Sequence, residues 1–82
     1  MQMDERLDAL LAVLSEETYL NVESIAKKLQ ISERTVRMQV NQLKELLEQN
    51  GADIERRRNL GLRIQVKDRE TYQAFMKGKT SP

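Results

Sequence analysis

Eighty-two residues make one small domain, near the size at which a single apolar core is barely sufficient, and the absence of Cys excludes disulfides and thiolate metal sites and fits a reducing, cytoplasmic setting. The longest apolar run, Ala9 to Leu14, is far too short to span a membrane, and the N-terminal Met1-Gln2-Met3-Asp4-Glu5 is acidic where a signal peptide is basic. The net charge of +1 hides an asymmetry: residues 1–23 hold six carboxylates against one Arg, whereas residues 24–82 hold thirteen basic side chains against seven acidic ones.

The first element is a helix over Asp4–Ser15. Leu7, Leu10, Leu11 and Leu14 recur at i, i+3, i+4 and i+7, and Asp4, Glu5 and Asp8 stand where the helix dipole favours carboxylates. Glu16-Glu17-Thr18 break that pattern, and Tyr19-Leu20 forms a short strand or an extended link. Asn21 caps a second helix carrying Ile25, Ala26 and Leu29 at helical spacing. Leu29-Gln30-Ile31-Ser32 is long enough only for a sharp turn, after which Ser32 caps a third helix from Glu33 to about Asn50. Val36, Val40, Leu43 and Leu47 form its apolar stripe, and Asn50-Gly51 suits a left-handed C-terminal cap.

A β-hairpin follows. Ala52–Arg58 and Leu62–Val66 flank the loop Asn59-Leu60-Gly61, with Gly61 expected at positive φ. Leu62, Ile64 and Val66 alternate with Arg63 and Gln65, giving that strand one buried and one wet face. Asp68 to Lys77 reads as a last helix with Tyr72, Phe75 and Met76 on one side, and Lys79–Pro82 as a loose tail. The expected division is residues 1–67 as one domain and 68–82 as a helix and tail for dimerisation or linkage.

Two helices joined by three or four residues cross steeply, so the second can project into a DNA major groove. Helix, strand, helix, helix, hairpin is the order of a winged helix-turn-helix: mainly α with a small β-hairpin, a three-helix core, a wing and an extra C-terminal helix. Ile31-Ser32-Glu33-Arg34-Thr35-Val36-Arg37, with Leu43 and the stretch Ile54 to Ile64, resembles the N-terminal DNA-binding domain of bacterial transcription regulators. The similarity covers roughly residues 5–66. It is greatest to sugar regulators bearing phosphotransferase-system regulation domains, with the biotin operon repressor's N-terminal domain and DeoR-type regulators sharing the scheme. The chain departs from that group at Gln30, where the turn usually has Gly, at Met38-Gln39 in place of Arg-Asp, and at Leu62 in place of an aromatic. Gln30 therefore implies a strained backbone or a different turn.

The residues that would meet DNA follow from the helical wheel. With the Val36 stripe inward, 100° per residue turns Arg34, Met38 and Asn41 outward, flanked by Thr35, Arg37 and Gln42. Arg34 suits guanine, Asn41 adenine and Met38 a thymine methyl, while Thr35 and Arg37 suit phosphates and Ser32 sits at the entry of the helix. Arg56, Arg57, Arg58 and Asn59 occupy the hairpin tip, placed for the backbone or the minor groove; at most two of three successive Arg side chains can face one way. Lys44 would add to the counterion release.

Without His or Cys the commonest general base and nucleophile pairs are missing, the three Gly residues make no phosphate-cradling loop, and no acidic cluster has calcium-loop spacing. A non-enzymatic protein without cofactor or metal is expected, its partner double-stranded DNA and not a membrane. The alternative is a protein-docking module on the same scaffold. The stripe of Tyr72, Phe75 and Met76 points to packing on the first helix, on a twin subunit in a homodimer, or on downstream regulatory domains if the chain is a fragment of a longer regulator.

Overall fold

The computed structural model describes residues 5–80. The elements run α1 (Glu5–Val13), α2 (Val22–Leu29), α3 (Glu33–Glu48), β1 (Ala52–Arg57), β2 (Gly61–Val66) and α4 (Arg69–Thr80). This is the mainly helical, winged helix-turn-helix arrangement expected from the sequence.

The first three helices pack on one another, and α3 also packs on β1. Their contact is made by the apolar repeats: Leu10, Leu11 and Leu14 from the first segment, Ile25 and Ala26 from α2, and Val36, Val40, Leu43 and Leu47 from α3 are all buried. The hairpin adds Ala52, Ile54, Leu62 and Ile64 to the same core. Burying these side chains is the main favourable term in so small a domain.

α1 stops two residues short of the expected Ser15, and Asp4 lies outside the described residues. Ser15 has other bonds to make. Its Oγ accepts from the amides of Glu17 and Thr18 at 3.0 and 3.4 Å, and its carbonyl accepts the Ile64 N–H at 2.8 Å. Ser turns of this kind compete with helix continuation. Beyond it the chain runs extended, and Leu20 bridges to Leu62 in antiparallel fashion. The Tyr19-Leu20 segment is thus a one-residue third strand on the hairpin.

The strands pair antiparallel, Ala52 opposite Val66 through Arg57 opposite Gly61. Gly61 therefore belongs to β2 and Arg58 to the turn, one residue displaced from the sequence-based limits. The Leu60 N–H bonds to the Arg57 carbonyl across that turn, and Asn59 occupies its left-handed position at φ 72°.

α3 ends at Glu48 rather than near Asn50; Gln49 stays right-handed and Gly51, at φ 82°, reverses the chain. Gly51 also meets the start of α4. Its carbonyl accepts from the amides of Lys67 and Asp68, both at 2.9 Å, and a Cβ there would lie 2.7 Å from the Asp68 carbonyl oxygen.

Asp68 caps α4, accepting from the Thr71 amide and hydroxyl at 3.2 and 2.7 Å. The helix continues through Thr80, past the expected limit at Lys77, so Lys79 and Thr80 are helical rather than part of a loose tail; residues 81–82 lie outside the described residues. Its apolar stripe turns inward on its own chain: Tyr72 is buried in the core, with Phe75 and Met76 packed against it and half-buried. Arg69 ties the helix to the segment after α1 through a two-pronged bond to Glu16 at 2.8 and 3.2 Å.

Candidate nucleic-acid interface

The presentation of α3 begins at Gln30. This residue ends α2 at φ 58°, ψ 44°, the left-handed conformation that Gly adopts without penalty. The strained backbone implied by Gln30 is the alternative the chain takes. Gln30 and Ile31 both donate to the Ala26 carbonyl, closing α2. Two residues later Ser32 is extended and its Oγ accepts from the Thr35 amide at 3.1 Å.

Ser32 and Thr35, both placed among the candidate contacts, also share a hydroxyl–hydroxyl bond of 2.9 Å, and Thr35 is half-buried. Their side chains are engaged in starting the helix. Thr35 can reach a phosphate only with whatever bonding capacity the cap leaves.

Beyond the cap, helical rotation separates two faces. Val36, Val40, Leu43 and Leu47 are at most 1 % exposed, while Arg34, Arg37, Met38, Asn41 and Gln42 are exposed. Met38 is 51 % exposed. Arg37 lies 3.6 Å from Glu33 one turn earlier, a loose surface pair worth little in water. Arg34 makes no ion pair with any described residue. Cation, amide and apolar groups thus share one surface, the mixture that can distinguish base edges.

The neighbouring position from the Met38-Gln39 departure behaves differently, for Gln39 is buried at the flank of the apolar stripe. Lys44, on the other flank, faces β1 and is held by Glu48 at 2.9 Å and Asp53 at 2.8 Å. Those hydrogen bonds raise its pKa and compensate its charge within the domain.

The wing does not present its arginines alike. Arg56 pairs opposite Leu62 and Arg57 opposite Gly61, so the two side chains leave the hairpin on opposite faces, and Arg58 and Asn59 lie in the turn. Arg57 donates from Nε to Glu55 at 2.9 Å, and the same carboxylate accepts from Arg63 Nε at 2.7 Å. Hydrogen bonds from these two guanidinium groups, Arg57 first, pull the Glu55 pKa down to about 2. The Arg63 guanidinium also lies 4.9 Å above the Tyr19 ring. Arg56 and Arg58 are exposed and carry no ion pair to any described residue. Leu60 at the tip is 54 % exposed.

Sequence reading passed over Glu55, Arg63 and Asp53 because each looked like ordinary surface charge. The signal was in the register: with the three-residue loop at 58–60 rather than 59–61, Glu55 stands directly opposite Arg63 and not Gln65, and Arg57 follows two positions later on the same face.

A family model described as an HTH domain matches residues 6–63, most of the chain and the whole of the segment from α1 into β2. Neither the curated proteins nor the solved structures yield a significant match.

Proposed function

Since the chain belongs to the HTH domain family, we propose that it binds double-stranded DNA sequence-specifically, as the reading head of a bacterial transcription regulator working in the cytoplasm. In this reading α3 lies in the major groove and the wing follows the phosphate backbone or enters the minor groove. The observation that carries it is the division of α3 into a buried apolar stripe and an exposed face of Arg34, Arg37, Met38 and Asn41, held by a capped turn at the start of the helix. Arg34 reads guanine, Asn41 adenine and Met38 a thymine methyl; Arg37 and the wing arginines Arg56 and Arg58 bind phosphates. The role is one of binding and not of catalysis. Among bacterial regulators the scheme is like that of the sugar regulators with phosphotransferase-system regulation domains, and two copies on two half-sites are the arrangement we favour.

The test is fluorescence anisotropy with random and selected duplexes across a salt series. Binding that weakens steeply with salt, and a selected sequence that outcompetes random duplex, are expected. Absence of binding at low salt would transfer the exposed α3 face to the protein-docking alternative.

A further inference from the structure

Glu55 puts a carboxylate into the element that would lie against a polyanion. Its placement is specific: the side chain is only 17 % exposed, bridged to Arg57 on its own strand and to Arg63 on the neighbouring one, with the Tyr19 ring under Arg63. The outer face of the hairpin thus carries two arginines whose Nε donors are committed and one of whose charges is cancelled. Arg56 leaves from the other face and Arg58 from the turn, both free of such a partner among the described residues.

We propose that Glu55 is a specificity-determining residue: its carboxylate holds Arg57 and Arg63 on the outer face of the wing and subtracts one of their two charges from the DNA-facing surface. Phosphate contacts add affinity for every sequence alike. A wing that engaged Arg56, Arg57, Arg58 and Arg63 together would bind any duplex tightly and leave the base contacts of α3 a smaller share of the total. With the clamp closed, Arg56 and Arg58 supply the phosphate contacts, and discrimination rests on α3. The inference depends on the DNA-binding reading above.

The experiment measures random and selected duplex binding of the full chain for the wild type, Glu55→Gln, Arg57→Ala, Arg58→Ala and the double variant Glu55→Gln/Arg57→Ala. Glu17→Gln, an exposed carboxylate in the segment after α1, is the control for net charge. Glu55→Gln is expected to tighten random-duplex binding by about three- to tenfold and to steepen the salt slope by about 0.9, the contribution of one added phosphate contact. The gap between selected and random DNA narrows accordingly, and Arg57→Ala in the same chain reverses the gain. In the wild type, Arg57→Ala costs less affinity than Arg58→Ala. A purely structural Glu55 would give the opposite sign, since a loosened hairpin binds more weakly. On the unsubstituted protein, the Arg57 Nε–H resonance stays in place when random duplex is added while that of Arg58 moves, a readout independent of how the variants fold. Glu55→Gln no tighter than Glu17→Gln, or an Arg57 resonance that shifts with Arg58, overturns the clamp. Failure of the DNA-binding reading looks different, with no duplex bound by the wild type and no response to Arg58→Ala.

Discussion

Leu20 and Leu62 exchange two backbone hydrogen bonds, 2.9 Å from the Leu20 amide and 2.7 Å from the Leu62 amide. This pair fastens the wing to the segment between α1 and α2, and it is possible because the residue before Leu62 has no side chain. A Cβ on Gly61 would collide with the Leu20 carbonyl, and the backbone there stands at φ 113°. Gly61→Ala is therefore opposed by both a clash and an unfavourable dihedral. A loss of about 1–3 kcal/mol is expected in urea unfolding, with the hairpin amides losing exchange protection first. An unchanged midpoint would show that the Leu20 segment can move aside.

Gln30 presents the reverse case. At φ 58° its side chain is exposed and no clash prevents removal of the Cβ. Gln30→Gly should relieve the left-handed penalty of about 1–2 kcal/mol, partly offset by the greater freedom of Gly in the unfolded chain. A net stabilisation of about 0.5–1 kcal/mol in a thermal melt is the expected outcome. A lower melting temperature would mean that the Gln side chain itself supports the turn.

Leu43 and Tyr72 test whether one core spans the chain. Leu43 is wholly buried on α3, and Tyr72 reaches the same cluster from α4. Leu43→Ala should cost about 2–5 kcal/mol, and Tyr72→Ala about 3 kcal/mol if α4 is an integral part of the domain. Sedimentation of the Tyr72 variant at several concentrations separates packing from assembly. A loss of stability without change in mass places the stripe inside the subunit, whereas dissociation of a dimer would place it between copies.

The Glu55 clamp has a pH signature. Arg57 and Arg63 face the carboxylate, with Tyr19 alongside, and none of these loses its charge state in acid. Glu55 has a folded pKa depressed from an ordinary 4.5 to about 2. The unfolded chain thus takes up its proton first as pH falls. The stabilisation is fully present above about pH 4.5 and is lost between there and about pH 2. Asp53 and Glu16 move in the same direction: burial raises Asp53 but the bonds from Lys44 and the Ile54 amide outweigh it, and Arg69 lowers Glu16. Carbon-detected NMR should find the Glu55 carboxyl titrating at about 2 rather than 4.5, and Glu55→Gln should flatten the acid limb of the stability curve. A Glu55 that titrates near 4.5 would show the clamp to be open in solution.

The helices and the hairpin were legible because periodicity is a local property: the leucine stripe of α1, the Val36 stripe of α3 and the alternation in β2 each announce a face. The exposed face of α3 followed from the same rotation. What escaped depends on contacts between segments distant in sequence. Ser15 leaves α1 because Ile64 claims its carbonyl, and Lys44 leans onto β1 because Asp53 lies nine residues away there. The three wing arginines looked equivalent as a string, and only the register, with Arg56 opposite Leu62 and Arg57 on the other face beside Glu55, separates Arg57 from Arg56. Charge counted along a chain says little about which charges remain available.

Arg34 and Lys44 are two cations on one helix, ten residues apart, and a count of charge treats them alike. Arg34 stands in the first turn with no ion pair among the described residues, while Lys44 is bound to Glu48 and Asp53. Arg34→Ala should therefore narrow the gap between selected and random duplex by about 1–3 kcal/mol, the worth of one bidentate base contact. Lys44→Ala should leave that gap and the salt slope nearly unchanged. Its effect should appear in stability instead, because Asp53 loses its nearest cation and, among the described residues, keeps Lys67 at 3.5 Å. Anisotropy and urea unfolding on both variants separate the two roles. Equal losses of specificity would mean that Lys44 abandons Asp53 for the duplex, and that the intramolecular pair is weaker than a phosphate contact.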